Sequence, residues 1–265
     1  MTANNVSHLR PIPRPKIQNM VAVASGKGGV GKTWFAITLA HALARSGRRV
    51  LLFDGDLGLA NVDIQLGLMP KHDLSAVVSG RLTLAQAASR YDDGGFDIIA
   101  GRSGSGRLAN IGTSRLQMLN EDMALVAASY DMVIVDLGAG VERSVLQLAD
   151  SAGTCVVIST EEPTSLTDAY AYIKVTHMER PGTDLQIVVN MANSTREGER
   201  TYATLHKACE GFLKISPPLL GVVRRDRRVR EAIRSQVSTL TRSPNTEAVA
   251  DVEAIAKKLS QALER

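Results

Sequence analysis

Between the apolar run Met20-Val21-Ala22-Val23-Ala24 and a stretch of helical periodicity stands the octapeptide Gly26-Lys27-Gly28-Gly29-Val30-Gly31-Lys32-Thr33. Few architectures accommodate it. A glycine-rich turn lets successive backbone N–H groups converge on one point without side chains in the way, and the helix that follows aims its N-terminal dipole at the same point. The ligand such a cradle fits is a phosphate chain. Lys32 would reach its β and γ oxygens as a point charge, and the Thr33 hydroxyl would ligate Mg²⁺. The nucleotide-binding stretch therefore runs from Gly28, Gly29, Val30 and Gly31 through Lys32 and Thr33 to Trp34.

With 265 residues, 44% of them hydrophobic and 22% charged, the chain can bury one substantial core, so residues 20–265 are expected to form a single domain. Residues 1–19 hold Arg10, Arg14, Lys16 and three prolines with no acidic residue, and read as a flexible basic arm. The aromatic share is only 4% while small aliphatic residues abound, which suits helices layered on a sheet better than a sandwich or barrel. Cys155 and Cys209 sit in or beside apolar stretches without metal-ligand spacing and read as reduced packing residues. No apolar run approaches the roughly 18 to 20 residues of a membrane span and no signal-peptide core opens the chain, so a soluble, cytoplasmic protein is expected. The net charge of +4 permits contact with nucleic acid or anionic lipid without requiring it.

Short apolar runs at 21–24, 50–53, 96–100, 132–135, 154–159, 185–189 and 219–223 alternate with helical patterns at 34–46, 114–129, 142–150, 165–178 and 194–211. Near-continuous apolar strands alternating with amphipathic helices predict an α/β fold with a doubly wound, mostly parallel sheet and helices on both faces. In such a sheet the chemistry lies beyond the carboxyl ends of the strands.

The loops expected there carry the remaining site residues. Phe53-Asp54-Gly55-Asp56 places two carboxylates near the triphosphate, one of which can orient the attacking water. Met132-Val133-Ile134-Val135-Asp136 is four apolar residues closed by an acid, the Walker B form; Asp136 would hold Mg²⁺ through water, and Gly138-Ala139-Gly140 would bring a backbone N–H towards the γ-phosphate. Asn190 ends another strand, and its carboxamide suits the adenine edge. The guanine-reading Asn-Lys-x-Asp run is absent, which favours ATP over GTP. Five arginines at 224, 225, 227, 228 and 230 read either as a solvated face or as a contact for nucleotide or DNA. The last helix, with Ala248, Val249, Val252, Ile255, Ala256, Leu259 and Leu263 on one side, is expected to pack on the sheet, because its polar face mixes both charge signs and matches a membrane-surface helix poorly.

The second lysine of the loop, Lys27, makes the run Lys27–Thr33 resemble the deviant phosphate loop of the MinD/ParA ATPases. Within that class the chain is similar, from about Val21 onward, to the flagellar number regulators of the FlhG/FleN type. The stretches that carry this are 54–63 with Leu66-Gly67-Leu68, the run Glu162-Pro163-Thr164-Ser165-Leu166-Thr167-Asp168-Ala169-Tyr170, Asn190-Met191-Ala192, and Asp226 with Val229 and Ala232. The resemblance implies a Mg²⁺-dependent ATPase that forms a homodimer around ATP. Lys27 would then reach the partner's phosphates and, with Lys32 and Asp56, would be catalytic, Thr33, Asp56 and Asp136 would surround the metal, and Asn190 and Asp226 would contact adenine and ribose. It further implies slow, partner-stimulated turnover, an FlhF-type GTPase or another flagellar protein as partner, and control of flagellar number or placement. The stretch 162–170 would sense the nucleotide and present Asp168 and Tyr172 to that partner. Trp34 and Leu137 depart from the family pattern, which usually has asparagine and threonine there. The alternative from another class is a ParA-like partition ATPase binding DNA without sequence preference through the arginines.

Overall fold

The computed structural model describes residues 16–101 and 111–264. Its first half runs β1 (Ile17–Ser25), α1 (Lys32–Arg45), β2 (Val50–Gly55), α2 (Val62–Leu66), α3 (Leu74–Val78), α4 (Leu84–Ala87), β3 (Ser89–Tyr91), β4 (Phe96–Ile99) and α5 (Thr113–Ala127). There follow β5 (Met132–Ala139), α6 (Arg143–Asp150), β6 (Ala152–Ser159), α7 (Pro163–Glu179), β7 (Asp184–Ala192) and α8 (Thr195–Ala208). A π turn, Cys209–Leu213, extends α8 before β8 (Leu219–Arg224), α9 (Arg227–Arg234), α10 (Thr239–Arg242) and α11 (Glu247–Leu263) close the described chain.

The strands hydrogen-bond in the order β3-β4-β2-β5-β1-β6-β7-β8. Every neighbouring pair is parallel except β3 with β4. Parallel strands need a crossover, and the crossovers put helices on both faces, so the central strands are buried on both sides. In β1, Met20, Ala22 and Ala24 join one core layer while Val21 and Val23 join the other. Burying aliphatic side chains on two faces is the main stabilising term, about 1.5–3 kcal/mol for each large one. The first layer is covered by α5, α6 and α7, whose Leu116, Leu148 and Ile173 are buried in it. The second is covered by α1 and α11 through Phe35, Leu39, Val252 and Ile255. The expected packing of the last helix on the sheet is thereby seen.

β1 begins at Ile17, which donates its N–H to the Ser151 carbonyl at 2.8 Å, so residues 17–19 of the stretch read as a basic arm lie in the sheet. Residues 1–15 of that arm lie outside the described residues. The three-residue β3 had no apolar run to announce it. Its pairing rests on its neighbour β4, with Tyr91 opposite Phe96 and the two rings edge-on at 5.2 Å.

Because β1, β2, β5, β6, β7 and β8 run the same way, their carboxyl ends share one edge of the sheet. The glycine-rich loop, Asp56, Asp136, Glu161, Asn190 and Arg225 are gathered there from positions up to two hundred residues apart in sequence.

Candidate functional site

The loop that leaves β1 turns into α1 through Gly31, whose φ of 87° is left-handed backbone that favours glycine. A side chain at Gly31 would also strike Asn190, because a Cβ there would stand 2.5 Å from the Asn190 Nδ2. That closeness has a purpose. Asn190 is buried, and its Nδ2 donates to the Val30 carbonyl at 2.8 Å while its Oδ1 accepts the Met191 N–H at 2.9 Å. The carboxamide read from sequence as an adenine contact is thus occupied with holding the glycine-rich loop.

Lys32 opens α1 with its side chain buried, and burial pulls its pKa below the ordinary lysine value against the opposing pull of Asp136 and Asp56. Two carboxylates, Asp136 and Asp56, act on this cation, and a third, Asp54, stands beside Asp136. Asp54 and Asp136 face each other across the β2–β5 pairing, both buried. Desolvation first, and then their mutual charge, pushes the Asp54 pKa well up; desolvation is likewise the leading cause for Asp136, partly offset by the Thr33 hydroxyl and by Lys32. Asp54 is nonetheless well anchored, since its oxygens accept N–H groups of Asp56, Asn61 and Val62 at 3.1–3.2 Å. Asp54 therefore shapes the loop after β2 rather than facing a ligand. Asp56, half-buried, caps the same loop by accepting the Gly58 and Leu59 N–H groups on Oδ1, and its carboxylate lies beside Gly138.

Asp136 differs from both. Its Oδ1 is buried without a hydrogen-bond partner among the described residues, although the Thr33 side chain bonds its carboxyl group. A buried, unpaired carboxylate oxygen costs free energy unless a cation or donor completes it. Hard cations prefer oxygen ligands, and magnesium typically takes one or two carboxylates together with waters and substrate phosphates. Among the described residues no cluster of three or more His, Cys, Asp or Glu could hold a metal unaided. Thr33 with Asp136 fits a magnesium ion that shares its coordination with phosphate oxygens.

Other expected site residues are placed differently. The indole of Trp34 turns away from the loop, and its Nε1 donates to Thr239 Oγ1 at 2.8 Å inside the second core layer, so only its backbone remains near the site. Gly140 does not offer its N–H to a phosphate here, because that group donates to the Ser25 carbonyl at 2.9 Å. Asp226 caps α9 and grips Arg228, with the Arg228 guanidinium holding its carboxyl below the usual carboxylate range. Tyr172, expected to face a partner, is fully buried against Cys155, its hydroxyl 3.6 Å from the Cys155 sulfur, because α7 lays that side on β6. Asp168 is half-buried at the start of α7. Leu137 is buried in the first core layer.

The arginine run is also not a uniform patch. Arg224 donates bidentately to Asp251 and also to Glu247, tying β8 to α11. Arg225 donates to the Met191 carbonyl at 3.3 Å. Arg227 and Arg230 stay exposed on α9. Lys27, finally, has its ammonium on its own chain, donating to Glu162 Oε2 and to Thr164 Oγ1 at 2.9 Å each. Neither partner could be read from the sequence pattern of the loop; both lie in the 162–170 stretch.

The family model of the CobQ/CobB/MinD/ParA nucleotide binding domain matches residues 21–240. The antiactivator FleN of Pseudomonas aeruginosa is 37% identical over 240 residues, covering 91% of this chain and 85% of FleN. The flagellum site-determining protein YlxH of Helicobacter pylori is 28% identical over 270 residues, covering 99% of this chain and 91% of YlxH. Among solved structures, the septum site-determining protein MinD of Pyrococcus horikoshii, complexed with Mg-ADP, superposes with a TM-score of 0.77 at 23% identity, covering 91% of this chain and 95% of that one. At that identity the likeness concerns the fold.

Proposed function

We propose that this chain, which belongs to the CobQ/CobB/MinD/ParA family of nucleotide-binding proteins, is a magnesium-dependent ATPase that dimerises around ATP and governs the number or position of flagella. The observation that carries the chemistry is the unpartnered Asp136 oxygen beside Thr33 and Lys32 at the mouth of the glycine-rich loop. The likeness to FleN and YlxH supports the flagellar output.

Each residue has a distinct task. The N–H groups of Gly28 to Thr33 bind the phosphate chain, with the α1 dipole behind them. Lys32 binds the β and γ oxygens, and burial strengthens that contact because little water screens it. Thr33 and Asp136 would hold magnesium, which when bound neutralises charge on the triphosphate. Asp56 orients a water for in-line attack; the water's oxygen bonds the γ-phosphorus as the bond to the β–γ bridging oxygen breaks, leaving ADP and inorganic phosphate. Because Asp56 acts by positioning, basal turnover is slow and rises when a partner improves that position. Lys27 reaches the phosphates of a second copy and so makes dimerisation depend on ATP. The adenine and ribose lie against the loops at 190–192 and 224–226. An FlhF-type GTPase or another flagellar protein reads the dimer, and the protein works in the cytoplasm.

The partition alternative loses ground to the ion pairs, since Arg224 and Arg228 are spent on Asp251, Glu247 and Asp226. Deleting the gene should change flagellar number or position while chromosome and plasmid inheritance stay normal. Unchanged flagella with anucleate progeny would overturn the reading.

A further inference from the structure

The segment that carries Asp56 is fastened on both sides, and its far fastening comes from α9. On the near side Asp54 accepts the Asn61 and Val62 N–H groups at 3.1 Å each, where α2 begins. α2 has only five residues, too few to stand as a helix on its own backbone bonds, so its neighbours must fix it. Val62 and Leu66 bury one side of it in the second core layer. Its last turn closes on Gly67, at φ 63°, with the Gly67 N–H donating to the Ile64 carbonyl and the Leu68 N–H to that of Asp63.

α9 ends in the same way, and the two helix ends meet. The Gln236 N–H donates to the Ile233 carbonyl and the Val237 N–H to that of Ala232, with Gln236 at φ 55° in the left-handed position. Glycine or asparagine is the ordinary residue there, because a longer side chain is strained on such a backbone. What the glutamine supplies is reach. Its Nε2 donates to the Ile64 carbonyl at 3.1 Å, and its Cβ lies so near Gly67 that a Cβ on that glycine would stand 3.1 Å away. It reaches from a firm element, since Asp226 caps α9, Ala232 is buried, and Val229 and Ile233 pack against the second core layer. A strained residue persists where its surroundings demand it, and such residues gather at functional sites.

We infer that Gln236 is a positioning residue for hydrolysis: by pinning the last turn of α2 to α9 it fixes the segment between Asp54 and α2, and with it the Asp56 carboxylate. The inference rests on the reading that Asp56 orients the attacking water. By its contact Gln236 belongs with the loop after β2, not with the fastenings of β7 and β8, so its loss should be felt in turnover rather than in binding or folding. A displacement of about 1 Å remote from the chemistry can cost on the order of 100-fold. Losing one exposed hydrogen bond releases part of that, and roughly three- to ten-fold is expected.

Two substitutions separate positioning from structure. Gln236→Glu keeps the shape but turns the donor into an acceptor facing the Ile64 carbonyl, whereas Gln236→Gly removes the side chain and relaxes the left-handed backbone. In both, phosphate release at saturating ATP should fall roughly three- to ten-fold, with ATP affinity and ATP-dependent dimerisation unchanged. Gln236→Gly should melt no lower than the parent, and Gln236→Lys, which can still donate, should keep more of the rate. Added to Asp56→Ala, neither Gln236→Glu nor Gln236→Gly should slow turnover further, because both act through Asp56. Parental rates in these two variants, or a lower melting temperature with an unchanged rate per folded molecule, refute the positioning role; a slow Asp56→Ala then leaves the reading of Asp56 standing. If Asp56→Ala itself hydrolyses ATP like the parent, that reading has failed and the role of Gln236 falls with it.

Discussion

On the β2–β5 flank of the phosphate loop, Asp136 and Asp56 act on Lys32, and one oxygen of Asp136 is left without a hydrogen-bond partner among the described residues. On the β6–β8 flank most polar side chains have found one another, the Thr160 hydroxyl at the end of β6 excepted: Asn190 holds Val30, Asp226 holds Arg228, and Arg224 holds Asp251 and Glu247. The same division continues behind the loop, where Trp34 and His41 of α1 bond Thr239 and Ser238 at 2.8 Å each. Proteins leave groups unsatisfied chiefly where a ligand completes them. The first flank is a site kept at some cost in stability, and the second is the rigid wall that positions it. Substitutions on the first should alter binding and turnover more than folding, and those on the second the reverse.

The largest effect should come from Lys32→Ala, which removes the buried cation from both ligand and carboxylates. Nucleotide affinity should fall at least ~30-fold, the equivalent of about 2 kcal/mol or more for losing one member of a buried charge pair. Calorimetric titration with ATP checks this, and affinity within a few-fold of wild type would mean that the loop binds without its lysine.

Asp56→Ala should instead lower phosphate release about 100-fold, in the range for losing a group that positions or deprotonates a reactant, with ATP affinity held within a few-fold. Loss of binding in the folded variant would remove Asp56 from the water-orienting role.

The wall can be probed by pH. His41 is buried and its pKa is pushed down to about 4, from the ordinary 6.5, by desolvation and then by Arg45. The unfolded chain therefore binds the proton more readily than the folded one, and the neutral ring's contribution is complete above about pH 6.5 and lost as pH falls towards 4. The difference between 6.5 and about 4, at about 1.4 kcal/mol per pH unit, corresponds to at most about 3.5 kcal/mol. Urea midpoints at pH 7 and pH 5 should separate, and His41→Gln should narrow that gap; an equal gap in the variant would place the pH sensitivity elsewhere.

The smallest effect is expected at the far end of the wall. Arg224→Ala leaves the half-sheltered Asp251 carboxylate without its guanidinium and should cost about 1–2 kcal/mol of stability, with turnover per folded molecule unchanged. A catalytic defect in the folded variant would mean that the two flanks are coupled.

The contrast also marks what the sequence could and could not disclose. The phosphate loop, Asp54, Asp56 and Asp136 were legible because each stands at the end of an apolar strand, and position at a strand end is written locally. The satisfied wall was not. Arg224 finds Asp251 27 residues on, and Asn190 finds Val30 160 residues back, so these fastenings of a charge run and a strand-end asparagine are not written locally. Tyr172 misled for a related reason: helical periodicity assigns faces, but only the packing of α7 on β6 says which face is inside. Trp34 looked like a damaged site position until the Thr239 hydroxyl appeared behind it.

The most direct test of the division is thermal unfolding of the wild-type protein and of Asp136→Asn, each alone, with ATP, and with ATP plus magnesium. For ligand at about 100 times its dissociation constant the gain is about 2.7 kcal/mol, on the order of 5 °C for a chain of this size. In the wild type, magnesium should add clearly to the shift given by ATP, and chelation with EDTA should take it away. Asp136→Asn, freed of a buried charge facing Asp54, should melt no lower than the wild type without ligand, yet gain nothing from magnesium. Equal magnesium increments in the two proteins, or a ligand-free Asp136→Asn that melts well below the wild type, would contradict the view that Asp136 is held incomplete for a bound cation.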